Sequence, residues 1–215
     1  MEESPAHDRF ADLTLARFVE RLSTAEPVPG GGAASAVAAA LGASLISMVA
    51  ALSRGKPKYE AYETTLARCQ TVGQELAAEF LRLADLDATA YAGYSAALKL
   101  PRETEAQQEA RRTAIQNAAR EAADAPWDCV KACSRLVVAA EALAGRSNVN
   151  AASDVLVAAL LGEAAARGAA ENVLINLPST GDEGYSESMR WQVDHTVVSV
   201  GPYIFHSSPT SDFRA

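Results

Sequence analysis

The chain has 215 residues, 49% of them hydrophobic but only 6% aromatic, and a formal net charge of −8. That acidity excludes nucleic acid as the principal partner, since a polyanion is repelled. Few aromatics and abundant Ala point to closely approaching helices rather than a sheet of β-branched residues. The expectation is therefore an all-α fold: one domain over residues 1–215, built as a compact multi-helix bundle with a long central helix.

In chain order, the opening Met-Glu-Glu-Ser-Pro-Ala-His-Asp is acidic and polar, unlike a signal peptide. Leu15, Phe18, Val19 and Leu22 recur at helical spacing, with Asp12 or Thr14 placed to cap. From Pro27 to Ser53 no residue is charged, a length sufficient to span a bilayer. The stretch is mostly Ala, Gly and Ser, however, and no second comparable segment is expected. We read it as a helix from about Ala33 to Leu52, buried on all sides. Gly55 and Pro57 then break the chain where Arg54, Lys56 and Lys58 gather.

A long helix is predicted from near Tyr59 to about Tyr94, with Cys69, Val72, Leu76, Phe80 and Leu83 on its apolar stripe. Steps of three and four place Asp87 on that stripe, then Ala90 or Tyr91, then Tyr94; Asp85 falls on the outer side. A carboxylate on a buried face loses hydration, so Asp87 is either paired structurally or kept for chemistry. After Leu100-Pro101, Thr104 caps a helix that Pro126 interrupts, and a further helix runs to about Leu143. Beyond the polar loop Gly145–Asn150, Asn150 or Ser153 caps a helix from Asp154 to about Leu177, on which Asn172 and Asn176 share a face. Glu183 to about His195 is read as helix, Val197–Phe205 as strand or irregular, and the last ten residues as loose.

Cys69, Cys129 and Cys133 show no CxxC spacing; Cys129 and Cys133, one helical turn apart, read as core, and the protein as reduced and cytoplasmic. His7, His195 and His206 lie near the termini, so acid–base work falls to Asp, Glu, Lys or Tyr. Gly30-Gly31-Gly32 before a helix exposes N–H groups to an anion or carbonyl, although such a turn also serves as a plain connection. The cations of residues 54–58 suit a carboxylate or phosphate, or simply a solvated loop.

Taken in order, these segments resemble a family. Pro27-x-Pro-Gly-Gly-Gly, Gly55-Lys-Pro-Lys-Tyr-Glu60, Leu86-Asp-Ala-Thr-Ala-Tyr91, Lys99-Leu-Pro-Arg-Glu-Thr-Glu105, Ala114-Ile-Gln-Asn117, Asn148-x-Asn-Ala-Ala-Ser-Asp154 and Arg167-Gly-Ala-Ala-Glu-Asn-Val173 carry the likeness from about residue 13 to 182. The chain is similar to the formiminotetrahydrofolate cyclodeaminases and bacterial methenyltetrahydrofolate cyclohydrolases. It departs from them at Pro57, where the family has Lys, and in an atypical tail from about residue 183.

The resemblance implies an enzyme acting on the carbon that bridges N5 and N10 of a reduced folate, with no metal and no cofactor beyond the tetrahydrofolate substrate. It marks Asp87 as general base, Tyr91 as the group that orients or shares the proton, and Asp154 as a further catalytic position. It implies that Pro29, Gly30, Gly31, Gly32, Lys56, Lys58, Asn148, Asn150, Ser153, Asn172 and Asn176 hold the substrate. It also implies a free-standing cytoplasmic homodimer with no membrane partner. Cyclohydrolase and cyclodeaminase stay open at this point, as does a non-catalytic helical protein derived from the family.

Overall fold

A computed structural model describes residues 9–200. A 3-10 turn (Phe10–Asp12) leads to six α-helices: α1 Leu15–Leu22, α2 Gly31–Ser53, α3 Glu63–Leu98, α4 Glu105–Leu143, α5 Ala152–Asn176 and α6 Glu183–Val200. No strand occurs among the described residues. Helices α2 to α5 form an up-and-down bundle in which α2 packs on α3 and α5, and α4 closes the opposite side. The all-α expectation holds, with α3 and α4 the longest elements.

The chain stops and starts where its local chemistry requires. Thr14 accepts from the Arg17 N–H to cap α1. Gly55 takes φ +68° after α2, and Pro57 opens a 3-10 turn, Pro57–Tyr62, before α3 begins at Glu63. Thr104 and Gln107 form a reciprocal capping box at the start of α4. At α5 the expected caps fail. Asn150 and Ser153 do not cap; Asn148 instead caps the 3-10 turn Val149–Ala151, which runs directly into the helix.

Small residues set the helix spacing. A Cβ at Gly42 of α2 would come within 2.9 Å of the Ala158 carbonyl of α5, and one at Gly73 of α3 within 2.7 Å of the Ala43 carbonyl. Backbones in such contact leave no room for larger side chains. Phe80, Ile46, Leu66, Leu76, Leu83 and Leu136 fill the remaining core, and all three cysteines are buried within it. A hydrogen bond to Cys129, reinforced by burial, pushes the Cys133 thiol far above the usual range.

Four expectations are corrected, and the buried face of α1 is located. Pro126 does not interrupt a helix: α4 runs through it, for a reason given below. Of α1's apolar residues only Phe18 is buried, edge-on to Phe10 at 5.6 Å, whereas Leu15 and Val19 face outward. Helix α2 is not buried on all sides, since Leu41, Met48 and Leu52 are exposed. Val197–Val200 is helical, as the end of α6; the rest of the Val197–Phe205 stretch lies outside the described residues. Finally, Val149–Thr180 as well as Gly31–Ser53 is long and apolar enough to cross a membrane, because its few charges are widely spaced. Both segments pack in the bundle here.

Candidate functional site

The N-terminus of α2 begins at Gly30, which has no side chain to cap the helix. The first-turn N–H groups of a helix need partners, and Asp87 of α3 supplies one: the Ala33 N–H donates to its carboxylate. The approach is so close that a Cβ at Gly32 would collide with both carboxylate oxygens. A Cβ at Gly31 would meet only Asn172 Nδ2, at an ordinary 3.6 Å. Gly31→Ala should therefore leave thermal stability within about 0.5 kcal/mol of the parent. Gly32→Ala should lower the melting temperature and displace Asp87, which an activity assay alongside the melt would register.

Asp87 is half-buried, and two influences oppose each other there. Burial pushes the carboxyl above its ordinary range, and the Ala33 N–H pulls it back; burial is the larger. The group faces a cleft of about 420 Å³ lined by Pro27, Val28, Gly30–Gly32, Tyr91, Tyr94, Asn172, Ile175 and Asn176. Tyr91 stands one turn beyond Asp87 and is 43% exposed at the rim. Tyr94, a further turn along, donates to Ser179 Oγ at 3.0 Å.

The two asparagines are held from behind. Asn172 Nδ2 donates to the Gly168 carbonyl at 2.7 Å, while Asn176 Nδ2 donates to the carbonyls of Asn172 (2.7 Å) and Ala122 (2.9 Å). The Ala122 carbonyl is the one that an N–H at position 126 would have bonded within α4. Proline lacks that N–H, so the carbonyl is free and Asn176 takes it. Thus α4 stays continuous through Pro126 because a side chain of α5 satisfies the vacated acceptor. Asn176 thus uses both of its amide N–H groups and Asn172 one of its two, and the side-chain oxygens make no hydrogen bond among the described residues.

The structure gathers Gly30, Gly31, Gly32, Asp87, Tyr91, Asn172 and Asn176 into this cleft. Pro29 is buried behind it and does not line it. The remaining expected positions lie elsewhere. Lys56 and Lys58 follow the C-terminus of α2, and Asn148, Asn150, Ser153 and Asp154 stand at the start of α5. The length of α2, like the stretch from Asp154 to Asn176, puts about 33 Å between the two groups at 1.5 Å per residue. At the far end the loop is pinned structurally: the Asn148 N–H donates to Ser53 Oγ (2.7 Å), the Val149 N–H to Tyr59 Oη (3.2 Å), and Asn148 Oδ1 accepts from the Asn150 N–H (3.2 Å).

Sequence reading passed over Tyr94, although it stood two turns from Asp87 on the same stripe. It also passed over a cationic pocket of about 390 Å³ that shares Ser179 with this end of the bundle. Arg102, Arg111 and Arg112 line it, and Arg111 Nε is buried without a partner. Adjacent arginines on a helix read as solvated until the chain folds Ser179 and Gly181 against them.

Fold and cleft together define an all-helical protein that lines one cleft with a shielded carboxylate, a glycine-rich helix N-terminus and two asparagine amides, a setting suited to a small polar molecule. The chain belongs to the formiminotransferase-cyclodeaminase family, whose characteristic sequence matches residues 14–195. The match therefore extends into α6. A methenyltetrahydrofolate cyclohydrolase of Methylorubrum extorquens is 32% identical over 87% of this chain and 90% of its own length. A formimidoyltransferase-cyclodeaminase of Rattus norvegicus is 33% identical over 89% of this chain, which spans only 35% of that longer protein. The crystal structure of a formiminotetrahydrofolate cyclodeaminase from Thermotoga maritima superposes with a TM-score of 0.80 at 32% identity, covering 88% of this chain and 91% of that one.

Proposed function

We propose that this protein is a one-carbon folate enzyme that hydrolyses 5,10-methenyltetrahydrofolate to the 10-formyl compound. The observation that carries the reading is the half-buried Asp87 carboxylate, proton-affine through burial and opening on the cleft. In that role Asp87 takes a proton from water as the oxygen adds to the methenyl carbon, and its negative charge favours the cationic carbon beforehand. The carbon–N5 bond of the adduct then breaks, and N5 takes up a proton. Tyr91 orients or relays it. The Gly30–Gly32 turn admits the ring system close to backbone, and the oxygens of Asn172 and Asn176 accept from pterin N–H groups. Water, protons and the folate's own nitrogens suffice, so the reaction as proposed calls for neither metal nor redox cofactor.

The Thermotoga maritima likeness supports a second reading at the same site: N10 attacks a 5-formimino carbon and ammonia leaves. That makes the enzyme an ammonia lyase rather than a hydrolase. Both readings fit a cytoplasmic homodimer with no nucleic-acid or membrane partner, which we adopt with them. Purified protein given methenyltetrahydrofolate and, separately, 5-formiminotetrahydrofolate decides the matter by the methenyl chromophore. Its accelerated loss establishes hydrolysis and its appearance with ammonia establishes deamination. Silence in both overturns the enzymatic proposal.

A further inference from the structure

The pocket beside Ser179 is lined unexpectedly for so acidic a chain. Arg102, Arg111 and Arg112 line it and no carboxylate does, although the sequence carries 27 acidic residues against 19 basic ones. Arg112 shares its charge with Glu109 at 2.6 Å, whereas Arg102 makes no ion pair among the described residues. Arg111 is held in place: its Nη2 donates to the Leu98 carbonyl at the end of α3, at 3.0 Å. Its Nε–H is buried and has no partner among the described residues. A charged donor that has lost its water and gained nothing in exchange is a site waiting for an acceptor.

The wall facing the arginines is fixed from behind. Thr180 is buried, and its Oγ1 donates to the Leu177 carbonyl at 2.7 Å. Gly181 takes φ +65°, and a Cβ there would collide with Gln116 Nε2. Beyond the turn, Asp182 pairs with Arg120, and Tyr185 Oη donates to Asp124 Oδ1 at 2.8 Å. Ser179 and Gln116 are thus set against the guanidinium groups before anything binds, which lowers the cost of ordering a ligand.

The donors come from two helices and a turn: Arg102 and Arg111, the Gln116 amide, and Ser179, which accepts from Tyr94 and keeps its own proton to give. Donors spread in this way suit the tetrahedral oxygens of a phosphate better than the flat fork of a carboxylate. The occupant is separate from whatever fills the Asp87 cleft, because the two cavities share no lining residue. They meet through the Tyr94–Ser179 hydrogen bond, with Tyr94 in one wall and Ser179 in the other.

We infer that the Arg102–Arg111–Arg112 pocket is an effector site for a phosphate group, free or as a monoester, linked to the Asp87 cleft through Ser179 and Tyr94. A phosphate oxygen that accepts from Ser179 strengthens the bond Ser179 accepts in turn, since hydrogen bonds in a chain polarise one another. Tyr94 is then held more firmly against the cleft. The site stands on the pocket alone; its effect on turnover rests on the folate reading above.

Titration calorimetry at constant ionic strength, with chloride as the balancing ion, tests the site. Inorganic phosphate and ribose 5-phosphate should each bind once per chain, and the tighter of the two tells whether the group is recognised free or on an ester. Arg102→Gln, which leaves the tie between Arg111 and Leu98 intact, should weaken binding about tenfold or more. No saturable heat in the parent, or equal affinity in Arg102→Gln, overturns the site. For the link, saturating phosphate should change kcat/KM of the parent about fivefold or more. Tyr94→Phe should still bind phosphate but lose that response. A response that persists in Tyr94→Phe overturns the link. Phosphate that simply competes with the folate, together with a raised KM in Arg102→Gln, overturns the effector role by giving the pocket to the substrate's own carboxylates. A parent that turns over neither folate yet binds phosphate defeats the functional reading and leaves the site standing.

Discussion

Asp87→Asn should lower turnover of the folate substrate by about 10²–10⁴-fold, the range expected when a positioned general base is removed. The bundle should remain intact, because an asparagine oxygen can still accept the Ala33 N–H that Asp87 now accepts. The variant should also melt at a higher temperature than the parent at neutral pH. Burial raises the folded-state pKa of Asp87 above its ordinary value of 3.8, so the folded chain holds that proton more tightly than the unfolded one. The resulting stability is present below the ordinary value and is lost as pH rises through the elevated one. Asn never ionises, so its advantage should exist at pH 7 and shrink towards pH 4. In the parent, activity should climb with pH along a limb lying above the usual carboxylate range. Melting curves and kcat/KM at matched pH values check both, and a parent limb at the ordinary carboxylate value would refute the assignment.

Gly42→Val should be among the most damaging single changes away from the cleft. Its Cβ would sit 2.9 Å from the Ala158 carbonyl and 3.2 Å from Leu136 Cδ2, and the first of these is backbone that cannot swing aside. Overpacking of this kind costs about 3 kcal/mol, which in a chain of this size lowers the melting temperature by roughly 6–12 °C. Calorimetry would show it, and a shift under about 2 °C would mean that α2 and α5 separate more easily than their contact implies. Gly93 offers the control, since a Cβ there meets nothing within 4 Å.

What the sequence disclosed and what it withheld divide along a physical line. Boundaries that depend on neighbouring residues were legible: Thr14 and Thr104 as caps, Gly55 and Pro57 as a stop. Asp87 was legible too, because a carboxylate in a run of Leu and Phe violates a local period. Features that depend on a partner far along the chain were not. Asp85 read as an outer residue, yet it accepts the Phe10 N–H at 2.7 Å and ties the N-terminal turn to α3. The outward face of α2 was hidden because every face of that helix is apolar, so periodicity alone could not say which one the bundle covers. The expected site residues were gathered from motifs in order, without weighing that the single helix α5 carries Asp154 and Asn176 to its opposite ends.

Pro126 has a consequence beyond the shape of α4. An ordinary residue at that position would bond its own N–H to the Ala122 carbonyl, and Asn176 would lose one of the two acceptors that fix its amide. The amide could then turn over, exchanging the oxygen it presents to the cleft for a nitrogen and so reversing the polarity read by any bound ring. A missing proton on one helix thus acts as a sorting device on another: it decides whether the pocket asks its ligand for a donor or for an acceptor.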